Sequence, residues 1–231
     1  MQDYPIEERP YEKFQHYGSS ALTDTELLAI LLRTGTSKMN VMELSRTLLT
    51  YFQEAPLNGK QPSLLTLYQF SYEELQKISG IGQVKAIQIL ALVDLCKRMV
   101  KTRYKQGQKA NSPASIADYF MEELRHKREE CFIIVFLDAK CKMLGNEVIS
   151  TGSLTASIVH PREVYKCAVQ RSAHSIIALH NHPSGDPTPS EEDCQITGRL
   201  KQAGDIIGIP LLDHIIIGDG IYCSLKEESY L

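Results

Sequence analysis

The chain has 231 residues, of which 43% are hydrophobic and 23% charged, and a formal net charge of −3. That length allows one large core or two small domains. It contains no run of eighteen apolar residues, so no transmembrane helix and no membrane partner is expected. The first residues, Met1 to Arg9, lack a charged-then-apolar signal segment, and a cytoplasmic location is expected.

In chain order, the first half reads as helices joined by short turns. Thr23-Asp-Thr-Glu26 is a capping box ahead of Leu27, Leu28, Ile30, Leu31 and Leu32. A second helix is expected from about Asn40 to Phe52. In the stretch 75–89, two helical patterns flank Gly80-Ile81-Gly82, an arrangement that resembles a helix-hairpin-helix element. In such a turn the glycines let backbone N–H groups approach a phosphate, and Lys85 would add charge. The same residues also suit a closely packed helical pair, and Gly80, Gly82 and Lys85 are therefore candidates for non-specific DNA contact only. Residues 1–110 carry 14 basic and 11 acidic side chains, a net of +3. That is far below the footprint of a dedicated nucleic-acid binder.

The charge changes sign beyond this point: residues 111–231 hold 11 basic and 17 acidic side chains, a net of −6. The polar stretch 107–112 after Gln106 is the expected linker between a helical domain (1–106) and a second domain (113–231). After it the patterns alternate. A helix over 113–127 precedes an apolar strand, 130–138, continuous enough to be central. A strand follows over 143–150, then a helix over 161–171, a strand over 174–181, a helix over 190–206 and a buried strand over 211–218. Cys131, Cys167 and Cys223 lie in these apolar patterns and are expected to be buried thiols. Cys194 reads as a helix core position.

The chemistry concentrates in His180-Asn181-His182 and, after the Pro183–Pro189 loop, Ser190-Glu191-Glu192-Asp193. Residues two apart on a strand share a face, so His180 and His182 can grip one ion. The prolines and Gly185 make the intervening loop irregular. Asp193 falls in the first turn of the next helix. Ser190-x-x-Asp193 is also what a plain helix start looks like. Two imidazoles and one carboxylate are nevertheless the ligand set of a catalytic zinc site with an open fourth position. His174 and His214 flank buried strands and read as structural, with His214, beside Asp213, the better placed to support a ligand.

At these residues the chain resembles the JAB/MPN (JAMM) metalloproteases, and the string His180 to Ser190 looks like their RadC branch. Glu147-x4-Gly152, His160-Pro-Arg-Glu163, Leu212 to Gly218, Arg9 to Lys13 and Ala21 to Gly35 are similar to the same family. The resemblance implies an α+β, mixed α/β protein, with a small all-α N-terminal domain followed by a JAB/MPN-like (cytidine-deaminase-like) α/β sandwich. It implies that His180, His182 and Asp193 hold Zn²⁺, and that Ser190 steadies the water or the oxyanion. It further implies a glutamate on an earlier strand as general base. Glu147 is the candidate for that role and Glu163 the competitor, although a first-turn Glu after Pro161 has an ordinary helix-start explanation. The expected activity is hydrolysis of a peptide or isopeptide bond in an unspecified protein substrate. The alternatives are a DNA-repair or DNA-processing factor and a non-catalytic zinc-containing interaction module.

Overall fold

The computed structural model describes residues 5, 8–52, 62–102, 112–152 and 159–231, so most of the expected linker, 107–111, lies outside the described residues. The chain divides into two units, Met1–Cys96 and Lys97–Leu231. Among the described residues no helix is long and apolar enough to cross a membrane.

The first unit is helical: α1 (Pro10–Tyr17), α2 (Asp24–Leu32), α3 (Val41–Leu49), a 3₁₀ segment over Leu64–Gln69, α4 (Tyr72–Gln76) and α5 (Gln83–Thr102), which runs past Cys96. The helix starts follow the caps. Thr23, Asn40 and Ser71 each accept a hydrogen bond from the N–H three residues on, and Glu26, Glu43 and Glu74 reach back to the N-cap backbone. α3 stops at Leu49, short of the Phe52 expected from its pattern. The core gathers Leu28, Leu32, Leu44, Leu48, Leu75 and Ile89, each contributing roughly 1.5–3 kcal/mol by burial.

The second unit is built on a five-stranded mixed sheet in the order β2-β1-β3-β4-β5. Its elements are α6 (Pro113–Leu124), β1 (Cys131–Leu137), β2 (Met143–Thr151), α7 (Pro161–Gln170), β3 (Ser175–Asn181), α8 (Glu191–Ile207), β4 (Leu211–Ile217) and β5 (Tyr222–Ser224). β1 runs antiparallel to both neighbours, β3 and β4 are parallel with α8 between them in sequence, and β5 closes the edge antiparallel to β4. Alternation along the strands makes two cores. Phe132, Ile134, Phe136, Ile176 and Ala178 pack with Val164 and Tyr165 of α7 and Ile196 and Leu200 of α8. Ile133, Val135, Leu137, Ile177, Leu179 and Ile215 pack with Ile116, Phe120 and Leu124 of α6. The result is a sandwich with α6 on one face of the sheet and α7 and α8 on the other. β1 and β3 are buried along their whole lengths, as a strand covered on both faces must be. Of the three thiols expected in the interior, only Cys131 is buried; Cys167 and Cys223 are partly exposed at the margins.

Candidate metal centre

His180 lies on the α8 side of β3, in the alternation of Ile176 and Ala178. His182 stands one residue beyond the strand, not on it as the pattern predicted. Its backbone N–H still donates to the Ile217 carbonyl at 2.9 Å, so the extended ladder to β4 continues through it. Asn181, between the two histidines, is fully buried. Its Oδ1 accepts from the Cys131 N–H at 2.9 Å and its Nδ2 donates to the Glu129 carbonyl at 3.2 Å. It therefore ties the end of β3 to the beginning of β1 and holds the two imidazoles in register.

Asp193 comes from the first turn of α8. Ser190 is the N-cap, and its Oγ accepts from the Asp193 N–H at 3.1 Å while donating to Asp193 Oδ2 at 2.7 Å. The Ser190 N–H donates to the same carboxylate oxygen at 2.8 Å. Asp193 thus closes the capping box and offers itself as a ligand at the same time. The Ser190 hydrogen goes to the carboxylate, so in this arrangement it orients Asp193 and is not directed at a reacting oxygen.

Three side chains converge. His180 Nε2 lies 3.0 Å from His182 Nε2 and 3.0 Å from Asp193 Oδ1, and His182 Nε2 lies 3.3 Å from Asp193 Oδ2. Ligands of a tetrahedral zinc at about 2.0–2.1 Å stand about 3.3 Å apart, so the set fits such an ion. Among the described residues this is the one group of His, Cys, Asp or Glu with that geometry. Asp193 is almost fully buried. Burial opposes its charge, but the adjacent His180 and His182 rings and the Ser190 hydroxyl outweigh that and hold its carboxyl well below the usual range. The neighbouring Asp193 carboxylate raises the His182 pKa, against burial, and the Asp186 carbonyl and the charge of Glu130 add to the rise.

The loop between the ligands is clamped. His182 Nδ1 donates to the Asp186 carbonyl at 2.8 Å, which leaves its Nε2 as the lone-pair nitrogen. Asp186 Oδ1 accepts from both the N–H and the hydroxyl of Thr188. The Gly185 carbonyl accepts from the Asp219 N–H at 2.9 Å. A Cβ on Gly218 would sit 2.3 Å from that carbonyl oxygen, so the close approach of loop and β4 requires glycine there.

The other candidates fall in different places. Glu147 sits opposite Ile134, on the same sheet face as the histidines, but its carboxylate is paired with Arg171, whose guanidinium stacks 5.1 Å from the Phe136 ring. Glu163 is half-exposed in the first turn of α7 and pairs with the neighbouring Arg162 at 3.0 Å, an ordinary helix-start role. Glu130, which the sequence does not single out, precedes β1, lines a cleft of about 340 Å³ with Arg128, Glu129, Gly152 and Pro183, and acts electrostatically on His182. Its position at the entrance of a central strand was a weak signal, hidden in the charged run Arg128-Glu129-Glu130. His174 is exposed and joins only its backbone to Leu137.

In the first unit, the Lys85 ammonium donates to the carbonyls of Thr34 at 2.5 Å, Gly80 at 3.3 Å and Gly35 at 3.4 Å. Gly80 has φ +95 and no room for a Cβ, which would meet Thr36 at 2.2 Å, so packing explains it. Gly82 faces open space.

Residues 110–230 match the family model described as the RadC-like JAB domain, and residues 1–87 match that of the UPF0758 N-terminal region. A UPF0758 protein of Alkaliphilus metalliredigens is 48% identical over 227 residues, covering 98% of this chain and 94% of its own. The UPF0758 protein YsxA of Bacillus subtilis is 46% identical over 231 residues, covering 100% and 96%. A UPF0758 protein of Bacillus licheniformis is likewise 46% identical over 231 residues, covering 100% and 99%. These names state no activity. Matched in both halves and along its full length, the chain belongs to the RadC-like UPF0758 family, with a JAB-type second domain.

Proposed function

We propose that the chain is a zinc-dependent hydrolase of peptide or isopeptide bonds, with His180, His182 and Asp193 as metal ligands. The observation that carries this reading is the convergence of two imidazole Nε2 atoms and one buried carboxylate, 3.0–3.3 Å apart. Three protein ligands leave a fourth position for chemistry, whereas structural zinc sites usually close it with a fourth side chain. When bound, the ion supplies Lewis acidity and makes water acidic enough to ionise near neutral pH.

The chain's own residues would do the rest. Asn181 and the Asp186 carbonyl hold the histidines, and Ser190 holds Asp193. To Glu130, whose charge reaches His182, we assign the role of taking a proton from the attacking water on its carboxylate and returning it to the leaving amine. Glu147 is less suited to that role than its sequence context suggested, because Arg171 neutralises it. The reading as a DNA factor draws less support from a Lys85 occupied by carbonyls.

The test is metal content of the purified protein by elemental mass spectrometry, followed by a peptide-library cleavage screen. About one zinc per chain is expected in wild type, Glu130→Gln and Glu147→Gln, and none in His182→Ala. Cleavage should be lost in Glu130→Gln and kept in Glu147→Gln. A wild-type protein that takes up no metal after reconstitution would remove the hydrolase reading; the reverse pattern in the two glutamate variants would return the base to Glu147.

A further inference from the structure

We propose that His214 and Thr197 are positioning residues that fix the tautomer of His180, leaving its Nε2 lone pair directed at the ion site. The inference rests on the metal reading above, and concerns residues outside the ligand set.

The Thr197 hydroxyl donates to the Asp193 carbonyl at 2.6 Å. Its oxygen therefore accepts in its second contact, with His214 Nδ1 at 2.6 Å, and Nδ1 must carry the proton. A neutral imidazole has a single N–H, so His214 Nε2 is a lone pair. That nitrogen lies 2.8 Å from His180 Nδ1, which must then be the donor. With its hydrogen on Nδ1, His180 keeps a lone pair on Nε2, the atom that faces His182 and Asp193.

His214 is suited to staying neutral. It is fully buried, and the edge of the Phe132 ring lies against it, with centroids 5.4 Å apart. The adjacent Asp213 carboxylate offers it no ion pair, because its oxygens accept from the Ser224 hydroxyl and the backbone N–H groups of Lys226 and His214. The relay begins on the carbonyl of Asp193 and ends on the imidazole of His180, so two candidate ligands are oriented by one chain of hydrogen bonds through α8, β4 and β3. Histidine ligands elsewhere are commonly held by a carboxylate or a carbonyl; here a second histidine takes that place.

The experiment reads ring tautomers by long-range ¹H–¹⁵N spectra of histidine-labelled, metal-free protein, and zinc affinity by chelator competition, in wild type, Thr197→Val and Thr197→Ser. In wild type, His180, His182 and His214 should all carry hydrogen on Nδ1. Thr197→Val keeps the shape but removes the acceptor. It should release the His180 tautomer and weaken zinc about 10- to 100-fold, with Thr197→Ser within about twofold of wild type. Hydrogen on His180 Nε2 in the wild type, or equal zinc affinities in the two variants, would overturn the relay. The tautomer is read without zinc, so the relay can fail in a protein that binds the ion. Absence of zinc from the wild type would instead remove the metal reading, and the ligating role of Nε2 with it.

Discussion

Gly218→Ala puts a methyl group where β4 meets the loop that carries His182. The new Cβ would lie 2.3 Å from the Gly185 oxygen, 2.9 Å from Pro187 Cδ and 3.1 Å from the Gly185 carbonyl carbon. To reach ordinary contact the loop must retreat by about 1 Å, a strain of about 1–3 kcal/mol by analogy with overpacked cores. The Asp219 N–H to Gly185 hydrogen bond, 2.9 Å now, would go with it. If Asp186 moves with Gly185, its carbonyl passes from 2.8 Å to roughly 3.8 Å from His182 Nδ1, beyond hydrogen-bond range. Urea unfolding of metal-free protein should therefore show a loss of about 1–3 kcal/mol, and zinc competition a loss of at least about tenfold. Gly198→Ala is the control: it lies inside α8 with nothing within 4 Å of the added Cβ, and should stabilise by roughly 0.5–1 kcal/mol. A Gly218→Ala protein with wild-type stability and zinc affinity would refute the clamp.

Ser190→Ala removes the α8 cap and a hydrogen bond to Asp193 Oδ2. It should cost about 1 kcal/mol in urea unfolding and weaken zinc, with Ser190→Thr restoring both. Tyr165, buried against α8, donates to the Leu200 carbonyl at 2.7 Å, and burial with the charge of Asp205 pushes its pKa up to about 12. Because the folded value is raised, its contribution is full below pH 10 and is lost as pH rises towards 12. Above pH 10 the stability of wild type should fall faster than that of Tyr165→Phe, by about 1.4 kcal/mol per pH unit. Parallel curves for the two proteins would contradict this.

The order of elements in the second unit was readable because strand and helix periods alternate cleanly there, and buried runs such as Cys131–Leu137 are too apolar for an edge. α1 escaped notice: its Tyr11, Phe14 and Tyr17 are exposed and make no core stripe. The histidine pair was legible from local spacing, since a strand brings every second residue to one side. Asn181, Thr197 and Glu130 were not legible. Each acts on a partner that only the assembled sheet brings near: Asn181 on Cys131, Thr197 on His214, and Glu130 on His182. The pairing of Glu147 with Arg171 is likewise hidden in the sequence, because the two are 24 residues apart and meet only in the fold.

Among the described residues, four helices begin with an acidic residue at the third helical position closing a capping box, and three of them use glutamate: Glu26, Glu43 and Glu74. The fourth uses Asp193, one methylene shorter. One of its oxygens takes both the N–H and the hydroxyl of Ser190 and also lies 3.3 Å from His182, while the other faces His180. The first turn of α8 and the proposed ion would therefore draw on the two ends of a single carboxylate. Metal occupancy would then be linked to the integrity of that turn: slower amide exchange at the start of α8 would accompany zinc uptake, and fraying there would release the ion.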